Sequence, residues 1–419
     1  MNNVPNLGEH FLYLNDDFFL MAELRPADFH TQAYGIVLRL QSDALVKPAS
    51  KSGTASRGEW LALEHSNEIL SRRFGYRKRP YLVHQVKTGS RPLMHEMGLV
   101  FDLDIRATAR NTFRARPEGE ERDVHATWLF ANFVVERWRE ALLWTWTVAR
   151  IGGSDDSWDR TVALQELGAE DSATITVSPT YRHTLAQHQV LATLGAEGVP
   201  RRTNYDFSSA DGYPFASLTG DAPRSRWPNV SDVSTSTDPS IGCHVVVDDC
   251  FPRILTSASA VFKHVAFEST QCGDCVIKAL VARSGVLGLE TFLPHKHKTI
   301  APDAITPATV PAHLPLASDW KQADYRLRAV VSGTNIREWT LRLLARYLFV
   351  IGSTPSHFLS ISSPKQARNA LAKVEVEDGA ALLCINDNIA IRPDETSRVF
   401  REWQEGIWGE RMAWERNTT

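Results

Sequence analysis

The chain has 419 residues, of which 43% are hydrophobic and 23% charged, an ordinary globular composition long enough for two or three units. A formal net charge of -3 gives no electrostatic reason to expect nucleic acid or an anionic membrane as a partner. The short basic clusters Arg72-Arg73 and Arg77-Lys78-Arg79 read as solvated faces, and the longest apolar runs, Ala141 to Ala149 and Leu343 to Ile351, are too short to cross a bilayer.

In chain order, His10-Phe11-Leu12-Tyr13-Leu14 reads as a strand running into the polar turn Asn15-Asp16-Asp17. There is no basic-then-apolar leader, and a strand and acidic turn so close to Met1 suggest that an N-terminal portion is missing. Residues 43–58 are small and polar and are expected to form an exposed loop. A helix is predicted from Trp60 to Phe74, stopped by Gly75. A short apolar piece, Arg79-Pro80-Tyr81-Leu82-Val83, then delivers His84, and Pro92 opens a second helix with Leu93, Met94, Met97 and Phe101 at helical spacing. The longest predicted helix covers about Asp123 to Arg150, with Val124, Trp128, Ala131, Val135, Trp138 and Leu142 on its apolar side and tryptophans that read as core anchors.

From about 203 to 240 the chain is dominated by Ser, Thr, Asp, Pro and Gly and is expected to be a disordered or variable insertion; it holds the sequon Asn229-Val230-Ser231. Four cysteines follow in one stretch, Cys243, Cys250, Cys272 and Cys275. Two disulfides would fit a secretory compartment and buried thiols a cytosolic one; the spacing is a poor zinc pattern, so a structural role is expected. Residues 335–352 read as a helix, Leu382 to Ile385 as a strand with Cys384 in the core, and a last helix follows Pro393.

One pattern occurs twice. Phe11 to Phe18 and Leu382 to Ile389 each carry an apolar strand into Asn-Asp followed by Asp or Asn. A single such turn would mean no more than a turn or a helix cap. Two of them suit a site at the carboxyl ends of strands in an α/β fold, where Asp16, Asp17 and Asp387 offer hard oxygen ligands to Mg²⁺ or a similar divalent cation. His84 suits proton removal from a hydroxyl, and Arg91 and Arg114 suit a diphosphate.

Leu7 to Phe29 resembles the end of the second conserved region of the Stealth family. Phe74 to His84, Arg91 to Glu96, Thr108 and Arg114 resemble its third region, and Ala381 to Trp403, centred on Cys384-Ile385-Asn386-Asp387-Asn388, resembles its fourth. That family includes the catalytic subunit of N-acetylglucosamine-1-phosphotransferase, bacterial capsule polymerases and fungal xylosylphosphotransferases. The resemblance implies an α/β, Rossmann-like layered sheet with helices on both faces. Residues 1–150 and 331–419 would supply the catalytic domain, and 151–330 an insertion with a cysteine-containing subdomain. It implies transfer of a sugar-1-phosphate from a nucleotide sugar, a UDP-sugar by expectation, to a hydroxyl of a glycan acceptor. Nucleoside monophosphate is released, and no nucleic acid takes part. It further implies Mg²⁺ or another divalent cation, admits a Golgi or a bacterial setting, which leaves the localisation open, and allows a homo-oligomer. Position by position, Asp17 with Asp16 matches the family's active-site aspartate, His84 its essential histidine, Arg114 its phosphate-contacting arginine and Asp387 its last-motif aspartate. Asn15, Arg91, Asn386 and Asn388 are expected to bind substrate, and Asp123 falls on a motif position displaced by an insertion at 116–122. The family's first region, a strand of the type YTWVNG, and the front half of its second are absent. Two alternatives therefore stand beside the sugar-phosphate transferase: a non-catalytic glycan-binding or scaffolding remnant, and a metal-dependent glycosyltransferase that would release the nucleoside diphosphate.

Overall fold

The computed structural model describes residues 4–49, 58–111, 122–169, 172–177, 201–214, 243–301, 303, 310–376 and 379–409. Strands β1 (His10–Tyr13) and β2 (Phe18–Leu20) flank the first acidic turn, and β3 (His30–Thr31), β4 (Gly35–Leu38) and β5 (Leu40–Val46) follow. Helix α1 (Glu59–Phe74) leads to β6 (Arg79–Leu82), β7 (Lys87–Ser90), α2 (Arg91–Val100) and α3 (Asp102–Arg110). Then comes α4 (Ala126–Trp144), which runs on as a wider π-type turn to Ile151. The remaining strands are β8 (Thr174–Val177), β9 (Asn204–Ser208), β10 (Cys243–Val246), β11 (Phe349–Ser353), β12 (Ser356–Ile361) and β13 (Leu382–Asp387).

The α/β class expected from the sequence holds, and the described strands fall into several small sheets. The largest has the order β3-β4-β11-β9; the one that matters for the site is β12-β13-β2. Here β12 and β13 are parallel and joined through the helix Pro364–Val376, while β2 runs antiparallel to β13. Parallel neighbours need such a crossover, which an apolar helix face covers. Residues Ile361, Leu371, Leu383, Ile385, Val399 and Trp403 form the core of this unit. A larger core draws together residues from Ile36 to Ile351, cutting across the three segments distinguished in the sequence.

Several expectations are corrected. Residues 43–46 belong to β5 instead of a loop, and 204–208 form β9 on the edge of the four-stranded sheet; 50–57 and 215–242, with the sequon, lie outside the described residues. The predicted helix at 335–352 is Ile336–Arg346, after which Phe349-Val350-Ile351 enters β11 between β4 and β9. Branched and aromatic side chains pack well on a pleated surface, and that preference wins here over continuation of the helix.

The basic clusters are the largest correction. Arg72 is exposed, but Arg73, Arg77 and Arg79 are buried, and so is every residue of α4 from Thr127 to Trp144, including Glu136, Arg137, Arg139 and Glu140. Glu140 takes Arg73 at 2.8 Å and Arg137 at 2.6 Å; Asp274 takes Arg77 at 3.1 Å and Arg139 at 2.5 Å; Glu136 takes Arg79 at 2.8 Å. A charge can be buried when it is paired and hydrogen-bonded, and these guanidiniums also donate to backbone carbonyls such as Ala266 O and Leu314 O. The two arginines on Glu140 hold its carboxyl below the usual range against the opposing effect of burial.

Gly75 ends α1 at φ +87°, and a Cβ there would come within 2.2 Å of Thr270 Cγ2 and 2.8 Å of Phe267 O, so both the turn and the close approach require glycine. The four clustered cysteines form Cys243–Cys275 and Cys250–Cys272, tying β10 and the residues after it to the helix Thr270–Ser284. Among the described residues no helix is long and apolar enough to cross a membrane.

Candidate active site

The two acidic turns are neighbours in space. β2 pairs with β13 so that Phe18 faces Cys384 and Leu20 faces Leu382, and Ile385 N–H donates to Asp17 O at 2.9 Å. The register lays the start of one motif beside the end of the other. The similar sequences therefore correspond to adjacent strand ends.

Asp17 is the hub. Its Oδ2 accepts the Cys384 thiol at 3.3 Å and lies 3.6 Å from His84 Nε2. Its Oδ1 is buried without a hydrogen-bond partner. His84 is placed by β6, which pairs with β5, and by Val83 N–H donating to Arg39 O at 2.9 Å. The imidazole stands edge-on to Phe18, with ring centres 5.1 Å apart, and lies 5.8 Å from Phe358, whose ring is largely exposed. One ligand atom from each of Asp17, His84 and Cys384 lies within 4.8 Å of the others.

Burial, reinforced by the Asp17 carboxylate, pushes the Cys384 thiol up to about 12. The thiol is therefore neutral near pH 7 and acts as a donor, without the thiolate that a nucleophile needs. Its position in the core was expected; its contact with Asp17 was not.

Lys87 was missed. Its Nζ sits 4.5 Å from the centre of the Phe18 ring and donates to Gln85 O at 3.2 Å. Burial brings the ammonium down to about 8, against the opposing pull of Glu59, Asp17 and Cys384. The sequence signal is slight: a lysine three residues past His84, in the short stretch between that histidine and Pro92.

The other expected residues are distributed as follows. Asn15 O accepts Phe18 N–H at 3.2 Å in the turn, and Asp16 is exposed beside it. Asp387 is exposed at the end of β13 opposite Ile361, Asn386 is half-buried opposite Ser360, and Asn388 N–H donates to Ile361 O at 2.9 Å. Asp16 and Asp387 thus flank the Asp17–His84–Cys384 cluster without joining it. Arg91 is exposed at the first position of α2, at the opposite end of β7 from Lys87, so the structure does not bring it to His84. Asp123 accepts from Asn111 Nδ2 at 2.6 Å, and Thr108 Oγ1 accepts Val124 N–H at 2.9 Å; both tie α3 to the start of α4. Arg114 lies outside the described residues.

No family model matches the chain. It is 34% identical over 448 residues to the 3-O-alpha-D-mannopyranosyl-alpha-D-mannopyranose xylosylphosphotransferase of Cryptococcus neoformans var. grubii, covering 99% of this chain and 50% of that protein. It is equally similar to the protein of the same description from C. neoformans var. neoformans serotype D. A shorter match, 32% identical over 115 residues, covers 27% of this chain and 22% of an exopolysaccharide phosphotransferase of Nocardia farcinica. The chain spans about half the length of the Cryptococcus relatives.

Proposed function

We propose that this chain, which belongs with the xylosylphosphotransferases among the Stealth-type sugar-phosphate transferases, moves a sugar-1-phosphate from a UDP-sugar to a hydroxyl of a mannose-containing glycan. The observation that carries the reading is the meeting of two motifs far apart in the chain, Asn15-Asp16-Asp17 and Asn386-Asp387-Asn388, at the neighbouring ends of β2 and β13 beside His84.

In this reading His84 takes the proton from the acceptor hydroxyl. The hydroxyl oxygen bonds to the phosphorus that bears the sugar, that phosphorus parts from the oxygen bridging to the nucleoside phosphate, and nucleoside monophosphate leaves. Asp17, at 3.6 Å, orients the imidazole and stabilises the imidazolium that forms. Lys87, with Arg114 as the resemblance implies, offsets phosphate charge; phosphoryl transfer depends chiefly on such positioning and charge stabilisation.

The donor set suits a divalent cation in one respect. Asp17 Oδ1 is a buried carboxylate oxygen lacking a partner, and Asp16 and Asp387 stand on the flanking turns. The neutral Cys384 thiol is too soft a ligand for Mg²⁺, so these three aspartates are the residues that would hold it. Once bound, the cation would supply Lewis-acid neutralisation of the diphosphate. The two disulfides support an oxidising setting such as the Golgi lumen.

The test is nucleotide release from UDP-xylose in the presence of 3-O-α-mannosyl-mannose, with and without Mg²⁺. UMP is the expected product; UDP in its place would make the protein a glycosyltransferase and overturn the reading. Replacing His84→Ala is expected to lower turnover by about 10²–10⁴ with the fold intact. Unchanged turnover would remove His84 from the mechanism.

A further inference from the structure

Next to His84 lies an aromatic and polar surface that the proposed reaction does not use. Trp60, in the first turn of α1, is 41% exposed, yet its ring is stacked on Tyr81 with centres 5.8 Å apart and planes only 16° from parallel. Tyr81 belongs to β6, three residues before His84, and is held by its pairing with Gln41 of β5. One face of the indole is thus backed by a ring fixed in a sheet. This costs side-chain freedom that an isolated surface tryptophan would keep.

The edge of the stack is polar and built. Glu59 Oε1 lies 3.0 Å from His125 Nε2, and Tyr81 Oη lies 3.4 Å from both Glu59 oxygens. His125 Nδ1 accepts Trp128 N–H at 3.3 Å, so Nε2 carries the proton and donates to the carboxylate. The bond to His125, with further help from His84, holds Glu59 below the usual carboxylate range, so the group is an ionised acceptor within electrostatic reach of the proposed base. An indole that is 41% exposed and backed by a ring fixed in a sheet, with a carboxylate, an imidazole and a phenol beside it, has the make-up of a pyranose site. The ring C–H groups of one sugar face lie on the indole, and hydroxyls on the sugar's rim reach the acceptors and donors at the edge.

We propose that the Trp60–Tyr81 stack, with Glu59 and His125 along its edge, is a shelf that binds a hexopyranose of the acceptor glycan and presents it towards His84. The inference rests on the transferase reading for the word acceptor, but its test does not depend on turnover. Saturation-transfer NMR on the whole chain, with 3-O-α-mannosyl-mannose and UDP-xylose as separate probes, distinguishes acceptor from donor. The wild-type protein should transfer saturation to ring protons of the mannobiose. Trp60→Ala should weaken that binding about tenfold or more, whereas Trp60→Phe, which keeps a stacking face, should stay within about threefold of wild type. Neither change should alter UDP-xylose binding, and both variants should unfold at a Tm close to wild type because the indole is partly solvent-exposed. Mannobiose binding that is unchanged in Trp60→Ala, or a loss confined to UDP-xylose, overturns the proposal. A protein that binds mannobiose through Trp60 but releases no UMP defeats the reaction above and leaves the shelf standing. UMP release by wild type, with mannobiose binding indifferent to Trp60, does the reverse.

Discussion

Two regions of this molecule concentrate charged side chains, and they treat them in opposite ways. Around α4, Glu136, Glu140 and Asp274 are each matched to arginines at 2.5–3.1 Å, all fully buried, with backbone carbonyls taking further guanidinium protons. At the strand ends, Asp17 is partly exposed, the His84 imidazole lies 3.6 Å away, and one of its oxygens has no hydrogen-bond partner. Charge matched to counter-ions in a fully buried setting builds a framework and resists change, even where single atoms such as Glu136 Oε2, Arg73 Nη1 and Arg77 Nε lack a hydrogen bond. A carboxylate at the solvent boundary, with an imidazole beside it in place of buried arginines, keeps capacity that a ligand can complete.

The sharpest way to break this contrast is to remove a framework carboxylate. Asp274→Ala leaves Arg77 and Arg139 buried together without their shared counter-ion and should cost about 3–5 kcal/mol, read by urea unfolding or by failure to accumulate folded protein. A loss below about 1 kcal/mol would mean that water or other groups replace the carboxylate, and the framework would not be one.

A smaller effect should appear as pH dependence at the edge of the N-terminal strands. His30 stacks on His10 at 3.7 Å, and burial, aided by His10, takes it from its ordinary value down to about 4. Between pH 6.5 and 4 the unfolded chain takes up a proton that the folded chain refuses, so stability falls as pH falls through that window. Thermal melts should show Tm declining over that range, and His30→Phe, which keeps a stacked ring, should flatten the decline. An equally steep decline in the variant would place the titration elsewhere.

The smallest stability effect, and the one that sharpens the comparison most, belongs to the site. Asp17→Asn should leave unfolding free energy unchanged or raise it by up to about 1 kcal/mol while turnover of UDP-sugar drops. A large loss of stability would put Asp17 in the framework class and remove the basis for treating it as functional.

Local rules carried much of the fold. Gly75 as a helix stop, Pro92 and Pro393 as helix starts and the tryptophan spacing of α4 all depend on residues within a turn or two of each other. The repeated acidic turn was legible for a similar reason, because each copy is a self-contained strand and turn; that β2, which leaves the first turn, pairs with β13 was not. The arginine clusters were misjudged because their surroundings come from far along the chain: Arg77 and Asp274 are 197 residues apart. Burial of a charge is a property of its partners, which no local window contains. Lys87 and the Cys384–Asp17 contact were hidden in the same way, since both arise from the packing of β7 and β13 against the start of β2.

The disulfides have a consequence for how this protein matures. Cys272 and Cys275 bracket Asp274 in the run Cys272-Gly273-Asp274-Cys275, and each is linked to a cysteine of the 243–250 stretch. The carboxylate that neutralises Arg77 and Arg139 therefore rides on a segment pinned from both sides by sulfur. Oxidation of the thiols and discharge of the interior arginines become steps of one process. A chain made where thiols stay reduced would have to settle two cations in its centre with their counter-ion untethered.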